Sequence, residues 1–281
     1  LDTEPGQLRR RPAEQKALID ALRRYEFNSW LQELLADGPA PKEADTDYHT
    51  IDSEPALDSL LGALQKAELI AFDTETTSLD SMQARLVGLS FSVRAGEAYY
   101  LPVGHDYTGA PRQLDRDFVL SRLKPLLEDA HRPKVGQHIK YDMNVLSLYG
   151  VELAGVAFDT MLESYVFNAT GSRHDMDSLA LKYLGRQTTH YEDVAGKGSK
   201  QISFSQVSIE DATHYAAEDA DVTLQLHQHL WPRLQAEPGL AGVLQEIEVP
   251  LIPVLARMEQ RGVLIDGDLL RRQSTEMARQ I

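Results

Sequence analysis

With 281 residues, 42% hydrophobic and 25% charged, the chain has room for one medium domain with appendages or two small ones. The absence of cysteine excludes disulfides and thiolate metal sites and fits a reducing cytoplasm, and no apolar run approaches the roughly 18–20 residues of a membrane span. A net charge of -15 argues against a broad grip on duplex phosphates, so a nucleic acid would have to be held at a small site by metal ions and stacking.

The chain opens on Leu1 rather than Met, which reads as a fragment or a processed chain. Residues 1–46 form a charged arm with Arg9-Arg10-Arg11-Pro12 and one helical pattern from Ala17 to Leu35. Ala36 to Asp47, rich in proline, glycine and acid, reads as a linker. The segment 47–235 reads as an α/β domain, a mixed β-sheet flanked by helices. It starts with a helix over Leu57 to Ala67 and an apolar strand over Leu69 to Phe72, followed by strands over Leu86 to Val93 and Ala98 to Val103. A helix from Asp115 to Glu128 precedes a short strand at Lys134 to Gln137, a helix at Asp142 to Tyr149 and a strand at Val156 to Phe158. The remainder of the domain reads as mostly helical. Residues 236–281 begin a new region, with a long amphipathic helix from Leu244 to Gln260 and a final helix after Gly262.

Three separated segments carry the candidate chemistry. Asp73-Thr74-Glu75 closes the first strand, and residues two apart share one face of a strand. Two carboxylates there, with no neighbouring lysine or arginine, make either a solvated strand end or a site for a hard cation. Asp142 follows a polar turn and precedes an apolar helix, so it is either a helix N-cap or a second ligand. Ser208-Ile209-Glu210-Asp211 resembles a capping box that starts a helix near Ile209. Tyr215 and Asp219 then stand four apart on one helical face, whereas His214 is rotated away from it. Grouped together, four acids suit phosphodiester hydrolysis by two divalent ions, which require several carboxylates to hold them.

Phe72-Asp73-Thr74-Glu75-Thr76, Gly136 to Asp142 and Tyr215-Ala216-Ala217-Glu218-Asp219 resemble the three motifs of the DEDD exonucleases, which have a ribonuclease-H-like fold. More narrowly, these stretches, with Arg173 to Leu179 and Ala195 to Ser199, resemble the 3′→5′ exonuclease domain of bacterial family A DNA polymerases, over about residues 48–235.

The resemblance implies that Asp73, Glu75 and Asp219 hold one metal, and that Asp73 and Asp142 hold a second. The resemblance implies Mg²⁺ as the metal, with Mn²⁺ or Zn²⁺ as alternatives. Glu75 and Tyr215 orient the attacking water. It points to Leu79 as a wedge at the terminal bases and Phe204 as a stacking surface, with Gln137, His138, Lys140 and Arg173 as phosphate or sugar contacts. Histidine at position 138 stands where the polymerase pattern commonly has asparagine. The implied partners are the 3′ end of single-stranded DNA, the nucleoside 5′-monophosphate product and the rest of a polymerase, with no membrane, in a monomer of the bacterial cytoplasm at the nucleoid. Residues 1–46 then correspond to the end of a preceding 5′-nuclease region and 236–281 to the start of the polymerase region, without a polymerase active site. The competing expectations are a ribonuclease D-like RNA 3′-exonuclease and a catalytically silent structural domain.

Overall fold

The computed structural model of the chain describes residues 14–25, 27, 30, 31, 34, 46–171 and 173–280. The basic run at Arg9 to Pro12 and residues 36–45 of the expected linker lie outside these residues. Among the described residues, six strands form one sheet: β1 (Asp47–Thr50), β2 (Ile70–Thr76), β3 (Leu86–Arg94), β4 (Glu97–Pro102), β5 (Lys134–Gly136) and β6 (Val156–Asp159). Their spatial order is β1-β4-β3-β2-β5-β6. The β2–β3–β4 meander is antiparallel. The other three strands pair in parallel, β1 with β4, β5 with β2 and β6 with β5. The edge strand β1 has no apolar run and was not expected from the sequence.

Alternation along β2 decides what each face of the sheet does. Ile70 and Phe72 enter the main core with Leu57, Leu60 and Leu64 of α2 (Glu54–Lys66) and Val119 and Leu123 of α3 (Arg116–Leu127). Val145 and Leu146 of α4 (Lys140–Ser147) close that side. Ala71 points the other way, against Val135 and Leu224. Leu224 belongs to α8 (Ile209–Gln235), the long helix that covers this second face. Asp73 and Glu75 share the parity of Ala71, so the fold aims both acids at α8.

Between β6 and α8 run α5 (Thr160–Phe167), α6 (Met176–Leu179), a π-helical turn at Ala180–Leu184 and α7 (Tyr191–Ala195). The N-terminal helix α1 (Gln15–Arg24) does not stand off as an arm, because Leu22 and Leu31 are buried against Leu181. After α8 come α9 (Pro238–Val243), a π-helical turn at Leu244–Glu248, α10 (Val249–Arg261) and α11 (Gly267–Gln280).

The expected lack of a long apolar stretch needs correction here. By length and composition the helical stretch Pro238–Arg261 passes for a membrane span, since its most apolar 18-residue window has a mean hydropathy of 1.4. The sequence hides this because glutamate and glutamine interrupt the apolar residues. The stretch docks on the protein through buried Ile252 and Ala256, while Ile247, Leu251, Val254, Leu255 and Met258 stay exposed.

Candidate active site

The site forms where β2, α4 and α8 meet. Asp73 and Glu75 lie opposite Ser90 and Gly88 of β3. A side chain at Gly88 would come within 2.2 Å of the Tyr100 hydroxyl, so this glycine is what lets the buried Tyr100 ring lie beneath the site. The Tyr100 hydroxyl is held in turn by His105 Nε2 at 2.8 Å. Asp142 is in the first turn of α4 but does not act as its N-cap. Its Oδ1 accepts from the Thr74 backbone N–H at 2.9 Å and from Thr74 Oγ1 at 2.5 Å, which ties α4 to β2.

Helix α8 begins at Ile209, capped by Ser208, whose Oγ accepts from the Asp211 N–H at 3.1 Å. Fully buried Ala216, Ala217 and Ala220 let the helix approach the sheet closely. That approach brings Asp219 to the acids of β2, and oxygen atoms of Asp73, Glu75 and Asp219 lie within 4.8 Å of one another. Tyr215, one turn earlier, lines the same cleft. His214 faces elsewhere, packing edge-on against Tyr48 at 5.9 Å.

The cleft holds about 770 Å³ and includes Asp73, Glu75, Asp142, Asp219 and Tyr215 in its lining. Among the described residues that line it there is no lysine or arginine. Burial pushes the Asp73 carboxyl up to about 7. Glu75 is driven well above the usual range by burial and then by the charges of Asp73, Asp219 and Asp142. Asp142 and Asp219 rise for the same two reasons, burial first and Asp73 second. The Asp219 charge, followed by burial, also raises Tyr215 and keeps it a neutral phenol.

One oxygen of Glu75, Oε1, is buried without a hydrogen-bond partner. Clustered carboxylates, no protein cation and an orphaned buried oxygen are the donor set of a hard divalent cation, which takes oxygen ligands. The residues present therefore fit a metal centre.

The remaining expected contacts separate into two groups. Leu79, 98% exposed, stands at the cleft with Gln137 and His138. His138 holds a left-handed backbone conformation with φ 58°, and Gln137 is fixed by donating to the His174 carbonyl at 2.8 Å. Lys140 does not line the cleft, and its ammonium is paired with Glu259 of α10. Arg173 is largely exposed, pairs with Asp175 at 3.5 Å and does not line the cleft.

Phe204 requires a correction, since it is fully buried and offers no face to a base. It packs beneath Tyr215 at 5.7 Å between ring centres, and its role is to support that tyrosine. Tyr191 lines the cleft together with Tyr141 and Tyr215, and it is stacked on Phe204 at 6.3 Å and edge-on to Tyr215 at 6.3 Å.

Two further positioning groups were missed from the sequence. The buried Asp159 carboxylate caps α5 and also accepts from the Ile139 N–H at 2.8 Å and the His138 N–H at 3.2 Å. It thereby holds the turn that leads into α4. The Tyr141 hydroxyl donates to the Ser78 carbonyl at 2.5 Å and so anchors the loop bearing Leu79. An Asp just before a helix was the available signal for the first. The second had none beyond its place next to Asp142.

A family model described as a 3′-5′ exonuclease matches residues 48–235. DNA polymerase I of Pseudomonas aeruginosa is 54% identical over 288 residues, covering 99% of this chain and 32% of that protein. DNA polymerase I of Rhizobium leguminosarum is 46% identical, over 82% of this chain and 24% of that protein. The chain thus spans about a third or less of these relatives. Among solved structures, the fold is similar to the POL domain of Pol1 from M. smegmatis, with a TM-score of 0.63 and 21% identity over 83% of this chain and 35% of that one. It is also similar to Brucella melitensis NrnC, with a TM-score of 0.56 and 21% identity over 78% of this chain and 95% of that one. By its family match and these relatives, the chain belongs to the 3′-5′ exonuclease domains of bacterial DNA polymerase I.

Proposed function

We propose that this chain hydrolyses the 3′-terminal phosphodiester of single-stranded DNA and releases nucleoside 5′-monophosphates, as the proofreading part of a monomeric bacterial polymerase in the cytoplasm, at the nucleoid. Residues 1–46 and 236–281 then belong to its flanking nuclease and polymerase regions. The observation that carries the reading is the convergence of four acids in a cleft with no lysine or arginine among the described residues that line it, one acid having an unpartnered buried oxygen.

In this reading Asp73, Glu75 and Asp219 would hold one divalent ion and Asp73 with Asp142 a second, Mg²⁺ in both places with Mn²⁺ or Zn²⁺ as substitutes. When bound, the ions make water a nucleophile at neutral pH and offset charge on the departing 3′ oxygen. Glu75 accepts a hydrogen bond from the attacking water, and the neutral Tyr215 phenol fixes that water's orientation. Thr74 keeps Asp142 turned toward the cleft. Leu79 wedges against the terminal base, and Tyr191 stacks on a base without reading its identity, as proofreading requires. Gln137 and His138 contact the phosphate or sugar. Lys140 and Arg173 reach the strand only by leaving Glu259 and Asp175.

The test is release of monophosphate from 3′-labelled single-stranded DNA and from a sequence-matched RNA, with Mg²⁺ or Mn²⁺ and then with EDTA. Metal-dependent release that favours DNA is the expected result. A preference for the 2′-hydroxyl would replace it with the ribonuclease D-like reading. No release from the folded chain would leave a structural domain.

A further inference from the structure

Immediately beside the metal-binding face of α8 lies a second set of acids. Glu218 is buried and Asp221, one turn on, is fully buried. A single arginine serves both. Arg186 Nη2 donates to Glu218 Oε1 at 2.7 Å, and Arg186 Nη1 donates to Asp221 Oδ2 at 3.1 Å. Arg186 also donates to the Tyr48 hydroxyl of β1 at 2.9 Å, and that hydroxyl donates to Asp221 at 2.8 Å. The other Asp221 oxygen accepts from the Gly96 N–H at 2.7 Å, and the other Glu218 oxygen accepts from the Thr189 N–H at 2.7 Å. Every carboxylate oxygen has a partner, so the network is rigid rather than strained.

Its position gives it a consequence for the reaction. Arg186 follows Gly185, whose positive φ of 66° turns the chain out of the π-helical turn. Residues 186–190 then run along α8 to Tyr191. The Arg186 guanidinium and the Thr189 N–H fasten this segment to α8 at two points. On either side of Thr189, Thr188 Oγ1 and His190 Nδ1 fasten the segment to Asp177, at 2.6 Å and 2.7 Å.

We infer that Arg186 is a positioning residue for substrate binding, setting the Tyr191 ring at a fixed height over Tyr215 and Asp219 by locking the 186–191 segment to α8. The inference rests on the reading of Tyr191 as the base-stacking side chain. Arg186 itself touches neither the cleft nor a substrate. Its guanidinium is suited to the task because a planar fork can bridge two carboxylates at once, which a point-charge ammonium cannot.

A double-mutant cycle on a short single-stranded oligonucleotide tests this, with Arg186→Ala, Tyr191→Ala and both together, reading KM and kcat separately. Tyr191→Ala should raise KM roughly 5- to 50-fold through the lost stack. Arg186→Ala should raise KM by a comparable factor with a smaller change in kcat, and should add little in the Tyr191→Ala background. General destabilisation would instead lower the active fraction, and hence kcat, equally in both backgrounds. If Arg186→Ala fails to fold, Arg186→Met combined with Glu218→Gln and Asp221→Asn removes the buried charges together and enters the same cycle. An unchanged KM in the folded arginine variant, or effects that multiply, would overturn the inference while leaving the Tyr191 reading intact. An unchanged KM in Tyr191→Ala would remove that reading and the inference with it.

Discussion

Two neighbouring faces of α8 carry carboxylates into low-dielectric surroundings and treat them in opposite ways. On one face, Glu218 and Asp221 are buried with an arginine, a tyrosine hydroxyl and two backbone N–H groups, and no oxygen is left over. On the other, Asp219 faces Asp73 and Glu75 with no lysine or arginine among the described residues lining the cleft and an orphaned Glu75 oxygen. Buried acids paired within the protein serve the fold. Buried acids left facing one another need a cation from solution, and that need marks the working site.

The largest effect that would break or sharpen this contrast is expected at Asp219. Asp219→Ala should lower hydrolysis by at least about 100-fold, as loss of a group that stabilises developing charge does. Its melting temperature without metal should stay level or rise, since one of several repelling charges is gone. Asp221→Ala should behave in the opposite way, losing about 3–5 kcal/mol of stability as a broken buried pair while kcat per folded molecule is kept. Chemical denaturation alongside steady-state kinetics checks both. Tyr215→Phe should come next, with kcat down about 10- to 100-fold and Mn²⁺ affinity retained, because the phenol orients water and does not ligate.

A smaller effect is expected from pH. The Asp73 carboxyl is raised from 3.8 to about 7 by burial, so the folded chain holds a proton that the unfolded chain has released. The contribution of Asp73 to metal-free stability should therefore be fully present below about pH 4 and be lost as pH rises through about 7. Mg²⁺ or Mn²⁺ should restore it at pH 8, where the ionised acids bind the cation. Thermal melts at pH 5.5 and 8, with and without metal, should reveal a reversal of several degrees. Leu79→Ala is the mildest change. This side chain is 98% exposed, so its loss should leave the melting temperature alone and raise KM for single-stranded DNA only a few-fold.

How much of this was legible in the sequence follows from how local each signal is. The start of α8 at Ile209 was legible because Ser208 and Asp211 form a local cap, and the four-residue step from Tyr215 to Asp219 then fixed their common face. Alternation placed Asp73 and Glu75 together in the same way. The run Glu218-Asp219-Ala220-Asp221, by contrast, looks uniformly acidic, and only the fold sorts it into paired and unpaired groups. Arg186 is distant in sequence from Tyr48 and Asp221, and nothing local links them.

Phe204 was misread because an aromatic residue near a glycine-rich loop suits either a stack or a core. Long-range packing with Tyr100 and Ala216 decides for the core and leaves the half-buried Tyr191 lining the cleft. The expected single helix from Leu244 to Gln260 is broken at its start by a π-helical turn, a hydrogen-bond shift that periodicity does not register.

The contrast between the two faces of α8 is tested most directly by Mn²⁺ binding, followed by electron paramagnetic resonance at pH 8 in the unaltered chain, in Asp219→Ala and in Glu218→Gln. The account predicts saturable binding in the unaltered chain, retained in Glu218→Gln and sharply weakened in Asp219→Ala. Equal binding by all three, or a loss in Glu218→Gln with Asp219→Ala unaffected, would contradict it.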